Sequence, residues 1–186
     1  MNAQDTGPEI LPDVIAAGLK VVFCGMAVGP VSGEKGAYYA HPQSAFWSAL
    51  HHAGFTDRVL APEEFHCLCR YRLGLTDLVK RAAGVDQQIH PEKHDLEALR
   101  QKILKFCPEY LAFTGKGAAK VFLWRRTVDY GAQQETVGGT KLFVLSSPSP
   151  AGRKYWDEGP WRELAHDCGA QGVAQSFPPL ETLRLV

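Results

Sequence analysis

Short apolar runs alternate along this chain with stretches of helical period. Residues 20–24 form a compact run of β-branched and aromatic side chains, Val21-Val22-Phe23-Cys24 entered from Lys20. It is too short for a helix and apolar at successive positions, which predicts a strand buried on both faces. Residues 110–114 and 140–146 repeat that signal. Between them, residues 42–53 carry Phe46, Trp47, Ala49 and Leu50 at helical spacing, with Gly54 as a stop. Residues 62–71 open on Pro62-Glu63-Glu64, which suits a helix N-terminus, and 75–81 form a short segment before Gly84. Leu96, Leu99, Ile103 and Leu104 make 94–106 an amphipathic helix ended by Pro108. Gly115-Lys116-Gly117-Ala118-Ala119 opens a helix toward Trp124, and 156–169 form the last one. Strands alternating with helices predict an α/β three-layer sandwich around a central, mostly parallel twisted sheet. With neither repeat nor low-complexity tract, a single domain over 1–186 is expected, with 1–12 loosely held around Gly7, Pro8 and Pro12.

Composition narrows the class. A hydrophobic content of 45% with 22% charged residues is that of a globular domain, which excludes a disordered or fibrous chain. Twenty basic against twenty acidic side chains give no net charge, which argues against a non-specific polyanion binder. A local basic face stays open, because Lys80, Arg81, Lys116, Lys120, Arg125, Arg126, Arg153 and Lys154 lie in or near the strand-end loops. No charged n-region with an apolar h-region opens the chain and no run of about 18 apolar residues occurs. A soluble, cytoplasmic protein with no membrane partner is therefore expected, nucleoid-associated if bacterial. Five cysteines, an odd number, fit reduced thiols. Cys67-Leu68-Cys69 raises an iron–sulfur cluster as an alternative, but the clustered ligand runs of such sites are absent. Neither metal nor cofactor is expected.

Loops after the three predicted strands, at 25–39, 115–117 and 146–153, should converge on one sheet edge. Gly25 and Gly29 let backbone approach a planar ligand closely. The loop has neither the Gly-Lys-Ser/Thr of a phosphate-cradling P-loop nor the spacing of a dinucleotide fold. Tyr38 and Tyr39 alternate in direction, so one is a stacking platform for a base and the other packs; the sequence leaves open which.

Gly25-Met26-Ala27-Val28-Gly29, then Tyr39-Ala40-His41-Pro42 and Phe46-Trp47, resembles the base-binding motif of the mismatch-specific uracil/thymine DNA glycosylases. That pattern reads G-[IM]-N-P-G, then an aromatic, a small residue, a proline and F-W. Ser147-Pro148-Ser149-Pro150-Ala151-Gly152-Arg153 is similar to the family's second motif, N-P-S-G-L-S-R or H-P-S-P-L. The internal segment from Tyr71-Arg72-Leu73-Gly74 to Arg81 also looks like theirs, so the likeness runs from about Gly18 to Arg153. It implies the uracil-DNA glycosylase-like fold and a monomeric, monofunctional repair enzyme. Such an enzyme flips uracil from double-stranded DNA and hydrolyses its N-glycosidic bond, leaving an abasic site without a cofactor. Mismatched or single-stranded DNA stays open as the preferred form. By the resemblance, Gly25, Met26, Gly29 and Tyr39 hold the base, Met26 and Tyr39 through their amides, with Ser147 as a weak donor. Ser149, Pro150, Ala151 and Arg153 enter the DNA, with Lys80 and Lys116 on phosphates.

The pattern breaks at Ala27, which stands where the family has the Asn that orients water. Bond cleavage builds positive charge on the sugar and negative charge on the base, so another polar group is needed. Asp77 is the first candidate, its alternative being an N-cap or an ion pair with Lys80 or Arg81. Glu34 is the second and His41 the third. The bulky wedge is missing too, Pro150 and Ala151 standing in its place. Two rivals follow: a non-catalytic DNA-lesion binder on the same fold, and a nucleoside or nucleotide hydrolase.

Overall fold

The computed structural model describes residues 8–85 and 88–175. Val21–Val28 (β1) lies at the heart of the sheet because both of its faces carry apolar side chains and almost every one is buried. It pairs in parallel with Leu73–Ala83 (β2) on one side and Tyr110–Phe113 (β3) on the other. Thr140–Val144 (β5) extends the parallel run beside β3, and Gly131–Val137 (β4) closes the sheet as an antiparallel edge. The strand order is β2-β1-β3-β5-β4. The chain thus winds away from β1 in both directions, which opens a crevice at the carboxyl ends of the strands.

Phe46–His52 (α2) and Gly159–Asp167 (α5) cover one face of the sheet, where Phe23 meets Phe46 at 5.6 Å, Phe55 at 5.5 Å and Trp161 at 5.8 Å between ring centroids. Lys93–Phe106 (α3) and Lys116–Leu123 (α4) cover the other, with Phe122 at 5.2 Å from Phe113. The predicted α/β architecture with a mostly parallel sheet is the fold observed. Among the described residues no helix is long and apolar enough to cross a membrane.

Two strands escape the sequence reading, and one expectation changes. The segment 75–81 is the middle of β2, a strand whose alternation is broken by Thr76, Asp77 and Lys80. Residues 131–137, with their Gln-Gln-Glu-Thr interior, are an edge strand half open to water. The expected loose terminus lies in part outside the described residues, but from Ile10 onward the chain is pinned. Ile10 N–H donates to Lys80 O, Leu11 is buried, and Val14 bridges Leu75, so this segment covers the outer edge of β2.

Candidate active site

In a parallel pair, residues in register send their side chains to the same face. Gly25 of β1 is in register with Asp77 of β2, and Thr114 follows Phe113 of β3, the partner of Cys24. Asp77, Gly25 and Thr114 therefore form one row across three strand ends. Gly25 leaves its place in the row empty, and Asp77 leans into it: a Cβ on Gly25 would sit 2.7 Å from Asp77 Oδ1, 3.4 Å from Tyr39 Oη and 3.8 Å from Thr114 Oγ1. Three side-chain oxygens thus converge above one glycine. Thr114 Oγ1 lies 3.3 Å from Cys24 O, to which it donates, and 2.9 Å from Tyr39 Oη, which can then donate to it in turn. A cavity of about 510 Å³ opens over this floor, within the range of small-molecule sites.

The two tyrosines separate cleanly. Tyr38 turns into the core, 5.5 Å from the Phe65 ring, and its hydroxyl accepts from Lys80 Nζ at 2.9 Å. Burial, then the negative charges of Asp77 and Asp13, hold that hydroxyl well above its ordinary pKa, so it stays neutral. Tyr39 lines the cavity. Its backbone is left-handed at φ 53°, a conformation L-residues adopt at a cost of about 1–2 kcal/mol. The flanks hold it there: Trp47 Nε1 donates to Tyr38 O at 3.1 Å and Ala40 N–H donates to Ser32 Oγ at 3.1 Å. The Tyr39 ring stacks on Phe46, 3.9 Å between centroids and 8° from parallel, which mounts it directly on the aromatic core. The Cys24 thiol just below is pushed well up by burial and then by Asp77, so it stays protonated and inert.

Met26, Ala27 and Gly29 at the end of β1 line the cavity, as do Ser147, Ser149, Pro150 and Ala151 at its mouth. The third loop is a 3₁₀ turn, Pro150–Tyr155, folded tightly against Ser147. A Cβ on Gly152 would lie 2.7 Å from Ser147 Cβ, so only glycine permits that approach. Ala45 N–H donates to Pro148 O at 2.9 Å, which ties this loop to the start of α2. His41 borders the cavity as well, its Nδ1 accepting from Gln43 N–H at 3.1 Å. Thr114 was not singled out from the sequence, although it ends the predicted strand 110–114, where a ligand group belongs. Tyr155, which also borders the cavity, carried no sequence signal.

Other candidates lie elsewhere. Glu34 is exposed on Pro30–Lys35 (α1), outside the cavity lining. Arg153 is exposed on the 3₁₀ turn just beyond the lining. Lys116 starts α4 with its Nζ 4.3 Å from the centroid of the Tyr130 ring. Arg125 and Arg126 follow the far end of α4, about 12 Å along the helix from that edge, and Arg125 pairs with Glu135. Cys69 is buried in the 3₁₀ helix Pro62–Tyr71, its thiol pushed up to about 11 by burial and then by Cys67. Among the described residues no three His, Cys, Asp or Glu side chains are grouped to hold a metal ion.

Lys80 is the clearest correction. Expected on a DNA phosphate, it is buried beneath the segment covering β2, with its Nζ 2.8 Å from Asp13 Oδ1 and 2.7 Å from Leu11 O. Asp13 also holds Lys102 and accepts from Thr76 Oγ1 at 2.8 Å. A lysine in such a network has no access to a polyanion. Lys80→Met is expected to cost about 3–5 kcal/mol of stability in urea unfolding, the range for breaking a buried pair. The salt dependence of DNA binding should stay unchanged, and a slope reduced by one phosphate contact would restore the original assignment.

Residues 12–165 match the family model of the uracil DNA glycosylase superfamily. The fold is similar to the solution NMR structure of a candidate uracil DNA glycosylase from Methanosarcina acetivorans. The two chains are 25% identical with a TM-score of 0.59, and the match covers 84% of this chain and 97% of that one.

Proposed function

Because this chain belongs to the uracil DNA glycosylase superfamily, we propose that it excises uracil from DNA by monofunctional hydrolysis, with Asp77 in place of the missing Asn. The observation that carries this reading is the placement of a buried carboxylate over Gly25, beside the hydroxyls of Tyr39 and Thr114, in the cavity at the strand ends. A flipped uracil enters the cavity and stacks on the face of Tyr39 that Phe46 does not take. As the N-glycosidic bond lengthens, positive charge grows on the deoxyribose and negative charge on the departing base. The Asp77 carboxylate, only 4% exposed, acts on the sugar charge with little screening and accepts a proton from the attacking water. Backbone amides at Met26 and Tyr39 receive the charge on the base oxygens. The reading places the protein as a monomeric cytoplasmic enzyme on uracil-containing DNA, needing no cofactor and most like the mismatch-specific branch. Uracil should be favoured over thymine, since without the Asn the poorer leaving group suffers more.

The test is incubation with uracil-containing duplex followed by alkaline cleavage of abasic sites. Strand scission at uracil is the expected result. Retained binding without scission would select a lesion binder, and release of uracil from free deoxyuridine alone a nucleoside hydrolase. Within the same assay, Tyr39→Ala should lower kcat/KM about tenfold to a hundredfold, the worth of one base–aromatic stack. Tyr39→Phe keeps the ring on Phe46 and should retain most of the rate. Equal losses in both variants would move the role of Tyr39 from its ring to its hydroxyl.

A further inference from the structure

Large apolar side chains exposed on a folded surface draw attention where they border a site. Among the described residues, Val59, Val85, Leu104, Trp124, Tyr155 and Val173 are such side chains, and only Val85 and Tyr155 border the cavity. Trp124 caps the far end of α4, away from the strand ends that build the site. Tyr155 is 67% exposed and ends the 3₁₀ turn that opens on Pro150 and Ala151, whose side chains offer far less stacking surface than its ring.

Its mount is rigid at both ends. Ser149 Oγ caps the start of the turn by accepting from Gly152 N–H at 3.3 Å. Trp156, the residue after Tyr155, packs 5.7 Å from the fully buried Trp161, whose Nε1 donates to Ser146 O at 3.2 Å. Tyr155 itself touches little: Lys154 Nζ is 5.8 Å from its ring centroid, and Arg153 beside it is exposed. A tyrosine has only two side-chain torsions to immobilise, so one held out on a fixed turn can stack on a partner with small entropic loss.

We propose that Tyr155, not Pro150 or Ala151, is the side chain that enters the duplex as the base leaves. It stacks on the bases flanking the vacated position, while Arg153 and Lys154 hold adjacent phosphates. This rests on the glycosylase reading and adds the residue that keeps the duplex open. Tyr155 is a positioning residue, since it touches neither the scissile bond nor the flipped base.

Excision is measured under single turnover on the same uracil-containing sequence as duplex and as single strand, for the parent, Tyr155→Ala and Tyr155→Phe. Tyr155→Ala should slow the duplex reaction about tenfold or more, the effect of losing one stack, and change the single-strand rate little. Tyr155→Phe should restore the duplex rate. In parallel, 2-aminopurine placed next to the uracil should change its fluorescence on binding the parent in a way that binding of Tyr155→Ala does not reproduce. Equal slowing on both strand forms, or no slowing on duplex, overturns the proposal. Should the parent excise from neither form, the glycosylase reading fails by itself and the fluorescence arm still decides. A parent-specific change then supports duplex entry by Tyr155, and identical traces overturn it.

Discussion

Asp77→Asn is expected to lower uracil excision about 10²–10⁴-fold, the usual loss on removing a general base, while leaving binding to uracil-containing duplex nearly intact. The Asn variant is the informative one because it preserves shape, hydrogen-bonding oxygen and burial. Asn is also the residue the glycosylase pattern has at the position of Ala27, where it orients water. If orientation were the whole task of Asp77, Asn would keep a large share of the rate. The argument from charge predicts otherwise. Asp77 is buried on β2 in the lining of the cavity, and a negative charge there meets a developing sugar cation with little water between them. Losing the charge removes both that attraction and the proton acceptor, so Asn and Ala should fall equally far. Single-turnover rates at saturating enzyme, with fluorescence anisotropy for binding, separate the two. An Asn variant within a few-fold of the parent would leave the carboxylate without the role assigned to it.

The parts of this architecture that could be read from the chain are those in which one local pattern decides the outcome. Val21 to Cys24 can only be a buried strand, and the strand-end glycines after it mark a ligand edge. β2 was harder for a physical reason. Thr76, Asp77 and Lys80 break its apolar pattern, and what makes Thr76 and Lys80 tolerable in a buried strand is Asp13, which lies 63 positions before Thr76, accepts from it and pairs with Lys80. Local periodicity cannot show such a partner. The same omission put Lys80 on DNA, because an unpaired lysine near a loop reads as surface charge. Asp77 was reached through resemblance; its reason for being there is the register that sets it beside Gly25. Thr114 and Tyr155 depend on where strand ends and loop tips meet in space, which the order of residues along the chain does not display.

That register makes Gly25 the second position of large effect. Gly25→Ala should lower excision about a hundredfold, the penalty for displacing a catalytic group by about 1 Å. The added methyl would sit 2.7 Å from Asp77 Oδ1, closer than packed atoms approach, so the carboxylate must swing out of the row or β1 and β2 must part. It would also lie 3.4 Å from Tyr39 Oη, so the displaced carboxylate meets a crowded site rather than open space. The fold should bear the change: overpacking costs about 1–3 kcal/mol, and replacing a strand glycine with alanine returns about 0.5–1 kcal/mol of that. Gly74→Ala on β2 is the matched control. There the methyl would lie 2.4 Å from the backbone oxygen of Val14 and 2.7 Å from Leu19 Cδ1, so it forces main chain apart instead of a side chain. Gly74→Ala should therefore lose stability in urea unfolding far more than Gly25→Ala, with the activity per folded molecule largely kept. Gly25→Ala should show the reverse, a folded protein with a crippled rate. Parental activity in folded Gly25→Ala would mean that the carboxylate works from another position, and the row of Asp77, Gly25 and Thr114 would then be packing rather than catalytic design.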